Sequence, residues 1–147
     1  MEISDEEAKS HMQRRDYKII SEPDWSKIDV ESYPSIMGNV TNSCITQPLD
    51  DETVSIAPDQ KYLTLKGWAT GNGTKGTKVK IVQISLDDGK TWEDAKITHQ
   101  EVKPEGQKVW SWSLWKYNIK LASLDQSAKE INPQVRVITS DEEIQNG

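Results

Sequence analysis

The octapeptide Ser85-Leu86-Asp87-Asp88-Gly89-Lys90-Thr91-Trp92 constrains this chain more than any other stretch. It has the form S-x-D-x-G-x-T-W, and its fixed positions have local physical reasons. Gly89 supplies the positive φ that a tight turn needs, where a Cβ would clash. Asp87 is placed to accept hydrogen bonds from turn amides that a strand ladder leaves unpaired. Trp92 folds over the turn and shields it. The segment predicts a β-hairpin.

Strand-like alternation surrounds it. Within residues 62–69, Leu63, Leu65 and Gly67 fall on one face, and Gly71-Asn72-Gly73-Thr74-Lys75-Gly76 reads as a turn-rich loop. Val79 and Ile81 alternate, but Val82, Ile84 and Leu86 continue on the opposite parity, which implies a bulge or burial on both faces. Residues 108–121 do the same: Trp110, Trp112 and Leu114, then Trp115, Tyr117, Ile119 and Leu121. Val135 and Val137 open a last strand, and residues 122–130 allow no more than a turn of helix. Short strands separated by Gly, Pro, Asn and Asp predict an all-β sandwich.

Residues 1–60 read differently. They are polar and hold four of the six prolines, and their apolar residues keep no sustained period. Ser4 with Glu7 is a candidate capping pair for a short first helix. Tyr17, Ile19, Ile20, Trp25, Ile28, Val30, Tyr33 and Ile36 are too many apolar anchors for a pure spacer. An extended N-terminal arm over residues 1–50 is expected, with residues 51–147 as the domain and a short strand at residues 53–57.

At 147 residues there is room for one ordinary domain but not comfortably for two. The chain has no Phe and six Trp, so something large must fill the core. Trp68, Trp110, Trp112 and Trp115 are the candidates for core or interface. Trp110 and Trp112 share a face; such a stripe can stack on sugar rings or nucleobases, but filling the core is the favoured assignment, and a Trp left outside belongs in a protein–protein contact. A net charge of −6, with acids interspersed among lysines, argues against nucleic acid as a partner. The single cysteine, Cys44, excludes an internal disulfide, and with no basic neighbour it reads as a small buried thiol. No apolar run approaches the roughly 20 residues of a membrane span.

Candidate chemistry is sparse. The octapeptide is an Asp-box, which recurs in sialidases, but those propellers repeat it around a much longer chain. One copy without an arginine triad or Tyr–Glu pair is expected to be structural, so Ser85, Asp87, Gly89, Thr91 and Trp92 are assigned to the hairpin rather than to catalysis. His11 and His99 stand apart from any metal-ligand spacing. Glu142-Glu143 lies in a polar stretch. Arg14-Arg15 is the only paired arginine and a candidate for an oxyanion, although a salt bridge to Asp16 or a docking contact to a neighbouring domain is favoured. No catalytic, cofactor-binding or metal-binding set is assembled.

Three separated stretches together resemble the sulfite oxidase family. Ser10-His11-Met12-Gln13-Arg14-Arg15-Asp16-Tyr17-Lys18 looks like the segment leading from the molybdenum domain into the dimerisation domain, which makes Arg14, Arg15, Asp16 and Tyr17 domain-docking candidates. Pro34-Ser35-Ile36 and Ser43-Cys44-Ile45-Thr46-Gln47-Pro48 are similar to the arm that follows. Lys66-Gly67-Trp68-Ala69, then Val79 to Trp92, then Trp110-Ser111-Trp112-Ser113-Leu114-Trp115 match the sandwich in order and spacing. The resemblance implies an immunoglobulin-like dimerisation domain whose partner is a second copy or the molybdenum domain. Molybdopterin and the metal-ligating cysteine then belong to a separate catalytic domain, not to Cys44. Assimilatory nitrate reductases share the module, but Gln13-Arg14-Arg15-Asp16-Tyr17-Lys18 looks more like sulfite oxidase. The chain reads Thr70-Gly71-Asn72-Gly73-Thr74 where relatives carry an aromatic, a serine and consecutive glycines. It stops at Asn146-Gly147 where relatives continue with a further strand, so an incomplete copy is expected. A reducing cytoplasmic compartment or a mitochondrial one is implied. The rival expectation is a free-standing immunoglobulin-like module that binds carbohydrate or protein.

Overall fold

A computed structural model describes residues 8–20, 22–36, 38, 40–72, 77–104, 107–124, 127 and 130–145. The expected Ser4–Glu7 cap and the centre of the glycine-rich loop, residues 73–76, lie outside these. The chain divides into two compact units, Met1–Gly38 and Asn39–Gly147.

The first unit is built from short turns. Met12–Asp16 forms a π-helical turn, closed where the Tyr17 N–H donates to the Met12 carbonyl at 2.9 Å. Trp25–Lys27 and Val30–Ser32 are single 3-10 turns. Each starts at an aspartate because a carboxylate can take up an otherwise unpaired amide. Asp24 accepts from Ser26 N–H at 3.1 Å, and Asp29 from Glu31 N–H at 3.2 Å.

The second unit is all-β. Its described strands are β1 (Asn42–Gln47), β2 (Tyr62–Thr70), β3 (Val79–Ser85), β4 (Glu93–His99), β5 (Ser113–Lys120) and β6 (Gln134–Thr139), ordered β1-β2-β5-β4-β3-β6 and antiparallel throughout. β4 belongs to both layers. Its first residues pair with β3 (Val82 with Ala95, Ile84 with Glu93), and its last pair with β5 (Lys96 with Lys116, His99 with Leu114). The sheet therefore folds over on itself into a sandwich, compatible with an immunoglobulin-like fold. The end strands β1 and β6 are linked by one side chain. Gln145 accepts from the Ser43 hydroxyl and donates to Asn42 Oδ1 at 3.3 Å, while its N–H reaches the Val137 carbonyl at 3.0 Å.

Alternation explains the core. Leu65, Ala69, Val79, Val82, Ile84, Trp115, Ile119 and Val137 are buried between the layers. The change of parity in β3 is a register shift against β6 between Val79 and Ile81, so Val79 and Val82 can both face inward. Trp115 is 1% exposed and its Nε1 donates to the Trp68 carbonyl at 3.0 Å, satisfying the indole's only donor. Burying side chains of this size contributes roughly 1.5–3 kcal/mol each.

Four expectations are corrected. Residues 53–57 form no strand: the pairing of β2 is with β1 at Lys66–Thr70 and with β5 along Tyr62–Ala69, and residues 53–57 join neither ladder. The first strand is Asn42–Gln47, within the stretch assigned to the arm. Trp110 and Trp112 are outside the core, 45% and 57% exposed, because β5 begins only at Ser113 and sets its inward parity on Ser113 and Trp115. Cys44 is exposed rather than buried, since pairing with Trp68 turns Ser43, not Cys44, inward. Of the possible helical turn at residues 122–130, the described part is a 3-10 turn at Leu121–Ser123.

Candidate functional site

The hairpin between β3 and β4 is a closed hydrogen-bond network. Gly89 has φ +79° and Asp88 φ +58°, the left-handed pair that reverses the chain. The Ser85 hydroxyl donates to Asp87 Oδ1 at 2.8 Å and accepts from Gly89 N–H at 2.8 Å. Asp87 also accepts from the Thr91 N–H at 2.9 Å and hydroxyl at 2.6 Å. Hydrogen bonds from the Thr91 hydroxyl and amide, then from Ser85, stabilise the ionised carboxylate and lower its pKa to about 2. Trp92 Nε1 donates to the Gly89 carbonyl at 2.9 Å. Arg136 of β6 sits over the Trp92 ring, 4.1 Å from its centroid, and donates from Nε and Nη2 to Gln83 Oε1 at 2.9 and 2.7 Å. All five motif residues meet here, and both oxygens of Asp87 are engaged within the turn. Arg136 is the member that sequence reading missed, because only the register of Gln83 opposite Arg136 brings it in.

The outer face of the β1-β2-β5-β4 layer is different in character. Directly paired residues of antiparallel strands project on the same side. Gln47, Lys66, Lys116 and Lys96 are successive cross-strand partners, and all four are exposed. The next row is Cys44, Trp68, Leu114 and His99. Trp112 stacks on Trp68 with ring centroids 4.8 Å apart and planes 18° from parallel. After β1 the chain turns at Leu49–Glu52, held by Leu49 N–H to Glu52 Oε2 at 2.6 Å and Glu52 N–H to the Leu49 carbonyl at 3.2 Å. This turn leaves Leu49 68% exposed and presents Asp50 and Asp51 to solvent. A groove of about 610 Å³ runs beside it, lined among others by Leu49, Glu52, Lys66, Leu114 and Lys116. Among the described residues, no ion pair involves Lys66, Lys96 or Lys116. The lysine row had no signal in the linear sequence, because its members lie on three strands.

In the first unit the arginine pair is divided. Arg14 bonds Glu31 rather than the expected Asp16; this partner raises the Arg14 pKa and lowers that of Glu31. Asp16 Oδ2 lies 3.3 Å from His11 Nδ1 instead. Arg15 is exposed, and Tyr17 is 48% exposed. The Tyr17 carbonyl accepts from Ile36 N–H at 2.9 Å. Among the described residues, no three or more His, Cys, Asp or Glu side chains are grouped as a metal site, and no helix is long and apolar enough to cross a membrane.

Comparisons with known proteins agree with this architecture. A family model described as the Mo-co oxidoreductase dimerisation domain matches residues 33–145. Mitochondrial sulfite oxidase of Homo sapiens is 40% identical over 131 residues, covering 88% of this chain and 22% of that protein. An NADH nitrate reductase of Brassica napus is 39% identical over 92 residues, covering 61% of this chain and 10% of that one. The chain thus spans about a fifth of the length of the sulfite oxidase it matches. The crystal structure of the sulfane dehydrogenase SoxCD from Paracoccus pantotrophus superposes with a TM-score of 0.53 at 24% identity, over 78% of this chain and 24% of that one, a likeness of fold. The matched span takes in all six strands, and the chain belongs to the Mo-co oxidoreductase dimerisation domain family.

Proposed function

We infer that this chain is the self-association module of a sulfite-oxidase-like molybdenum oxidoreductase, and that it performs no chemistry of its own. The observation that carries the reading is the aromatic pair on the outer sheet face: Trp112 is 57% exposed while stacked on Trp68, beside a half-exposed Leu114. Exposed aromatic and aliphatic groups of this kind, held rigidly on strands, suit the centre of a protein interface. The polar groups of the Asp-box are used inside the hairpin, which supports a structural role for it.

Molybdopterin belongs, in this reading, to a separate catalytic domain. The residues present do not fit it. The one thiol, Cys44, is exposed on β1 and donates to the Ile45 carbonyl at 3.2 Å, rather than facing an enclosed pocket that could hold a metal. Sulfite is the substrate class proposed for the parent enzyme, and a mitochondrion its compartment, both from the likeness to mitochondrial sulfite oxidase.

Light scattering on the purified chain from low to high micromolar concentration tests the association. A mass that rises toward two copies supports it; a constant single-copy mass contradicts it. A glycan array separates it from the carbohydrate-binding alternative, which requires sugar-dependent binding that disappears in Trp112→Ser.

A further inference from the structure

We propose that the outer face of the β1-β2-β5-β4 layer is a two-fold interface, in which the Lys66, Lys116 and Lys96 row of one copy receives the Asp50-Asp51 turn of a second copy. This rests on the self-association reading and names the surface that performs it.

The row itself is the first reason. Adjacent strands lie about 4.8 Å apart, and like charges placed directly opposite one another destabilise a sheet. Three lysines in successive register, without an ion pair among the described residues, carry that repulsion in the isolated chain. An anionic partner relieves it. The second reason is the acidic turn beside the row. Asp50 and Asp51 project from the turn whose Leu49 and Glu52 line the same groove as Lys66 and Lys116. A cationic strip beside an anionic rim is self-complementary under two-fold rotation: each copy's strip meets the other's rim. The third reason is apolar. Leu49, Leu114 and Trp112 are 68%, 45% and 57% exposed along this face, and a second copy covers them in the same step. The net charge of −6 also makes another copy of this chain an acidic partner.

The test uses two charge-reversed versions of the full chain, Lys96→Glu/Lys116→Glu and Asp50→Lys/Asp51→Lys, with circular dichroism to confirm that each folds. Sedimentation velocity is expected to show a wild-type dimer that weakens with added salt. Each variant alone should have its dissociation constant raised by about tenfold or more, and an equimolar mixture of the two should recover dimer, because a mainly acidic face then meets a mainly basic one. If the wild type dimerises but neither reversal weakens it, or the mixture fails to recover dimer, this surface is wrong while self-association stands. If the wild type is monomeric throughout, the self-association reading fails and takes this surface with it, leaving the face to a different protein.

Discussion

Gly67 lies directly beneath the indole of Trp115: a Cβ built on it would stand 2.4 Å from Trp115 Cζ2 and 2.0 Å from the Cys44 carbonyl oxygen. The glycine is needed because the largest core side chain crosses β2 at that point while β1 closes in from the other side. Gly67→Ala is expected to destabilise the domain by about 1–3 kcal/mol or more, the usual effect of overpacking, although alanine favours neither a turn nor a kink there. Trp115→Ala, which empties the same site, should cost about 3–5 kcal/mol. Urea denaturation followed by circular dichroism measures both; a Gly67→Ala protein as stable as wild type would contradict the packing.

Asp87 predicts an acid limb. Its folded pKa of about 2 is below the 3.8 usual for an aspartate, chiefly through the hydrogen bonds from Thr91. A depressed carboxylate contributes stability that is fully present above its unfolded pKa and is lost as pH falls through the folded one. The stability advantage of wild type over Asp87→Asn should therefore be constant above about pH 4 and shrink between about pH 4 and pH 2. Denaturation curves for the two proteins at stepped pH check this, and an advantage that does not change with acid would refute it.

Tyr117 predicts an alkaline limb. Burial first, and then its hydrogen bond to Glu93 Oε2 at 2.6 Å, raise its pKa to about 12 from 10.0. The neutral phenol is favoured in the folded state, so its contribution is complete below pH 10 and is lost as pH rises toward 12. Tyr117→Phe should cost about 0.5–1 kcal/mol at neutral pH, discounted because the hydrogen bond is partly exposed. It should also remove the loss above pH 10, which spectrophotometric titration and unfolding at high pH would reveal.

Arg136 predicts a coupling between β6 and the hairpin. The guanidinium stacks on Trp92 and donates a two-pronged hydrogen bond to Gln83, which in turn donates to Asp94 Oδ1 at 2.9 Å. A double-mutant cycle of Arg136→Ala with Trp92→Leu should give a coupling energy of about 0.5–1 kcal/mol. Arg136→Lys should retain only part of it, since an ammonium lacks the planar fork. Additive losses would show the stack to be idle.

The hairpin was legible because its causes are local: Ser85, Asp87, Gly89, Thr91 and Trp92 lie within one turn and need no partner strand to meet. The core was legible where alternation was unbroken, as in Leu65 and Val137. It was misread where the answer depended on where a strand begins. Trp110, Trp112 and Trp115 are close in sequence, but β5 starts at Ser113, so the first two stay outside and only the third enters the core. Cys44 was misplaced for a related reason, since the mixed residues of β1 reveal their inward parity only through pairing with β2. The outer-face lysines were illegible altogether. Lys66, Lys96 and Lys116 become neighbours through two registers that no linear pattern encodes.

Sedimentation equilibrium of the chain beside its Trp112→Ser variant, at matched concentrations into the high micromolar range, tests self-association most directly. The account predicts a wild-type species of two copies of the 16.7 kDa chain and a variant shifted toward one copy, with the same thermal stability. A wild type that remains a single 16.7 kDa species at every concentration contradicts it.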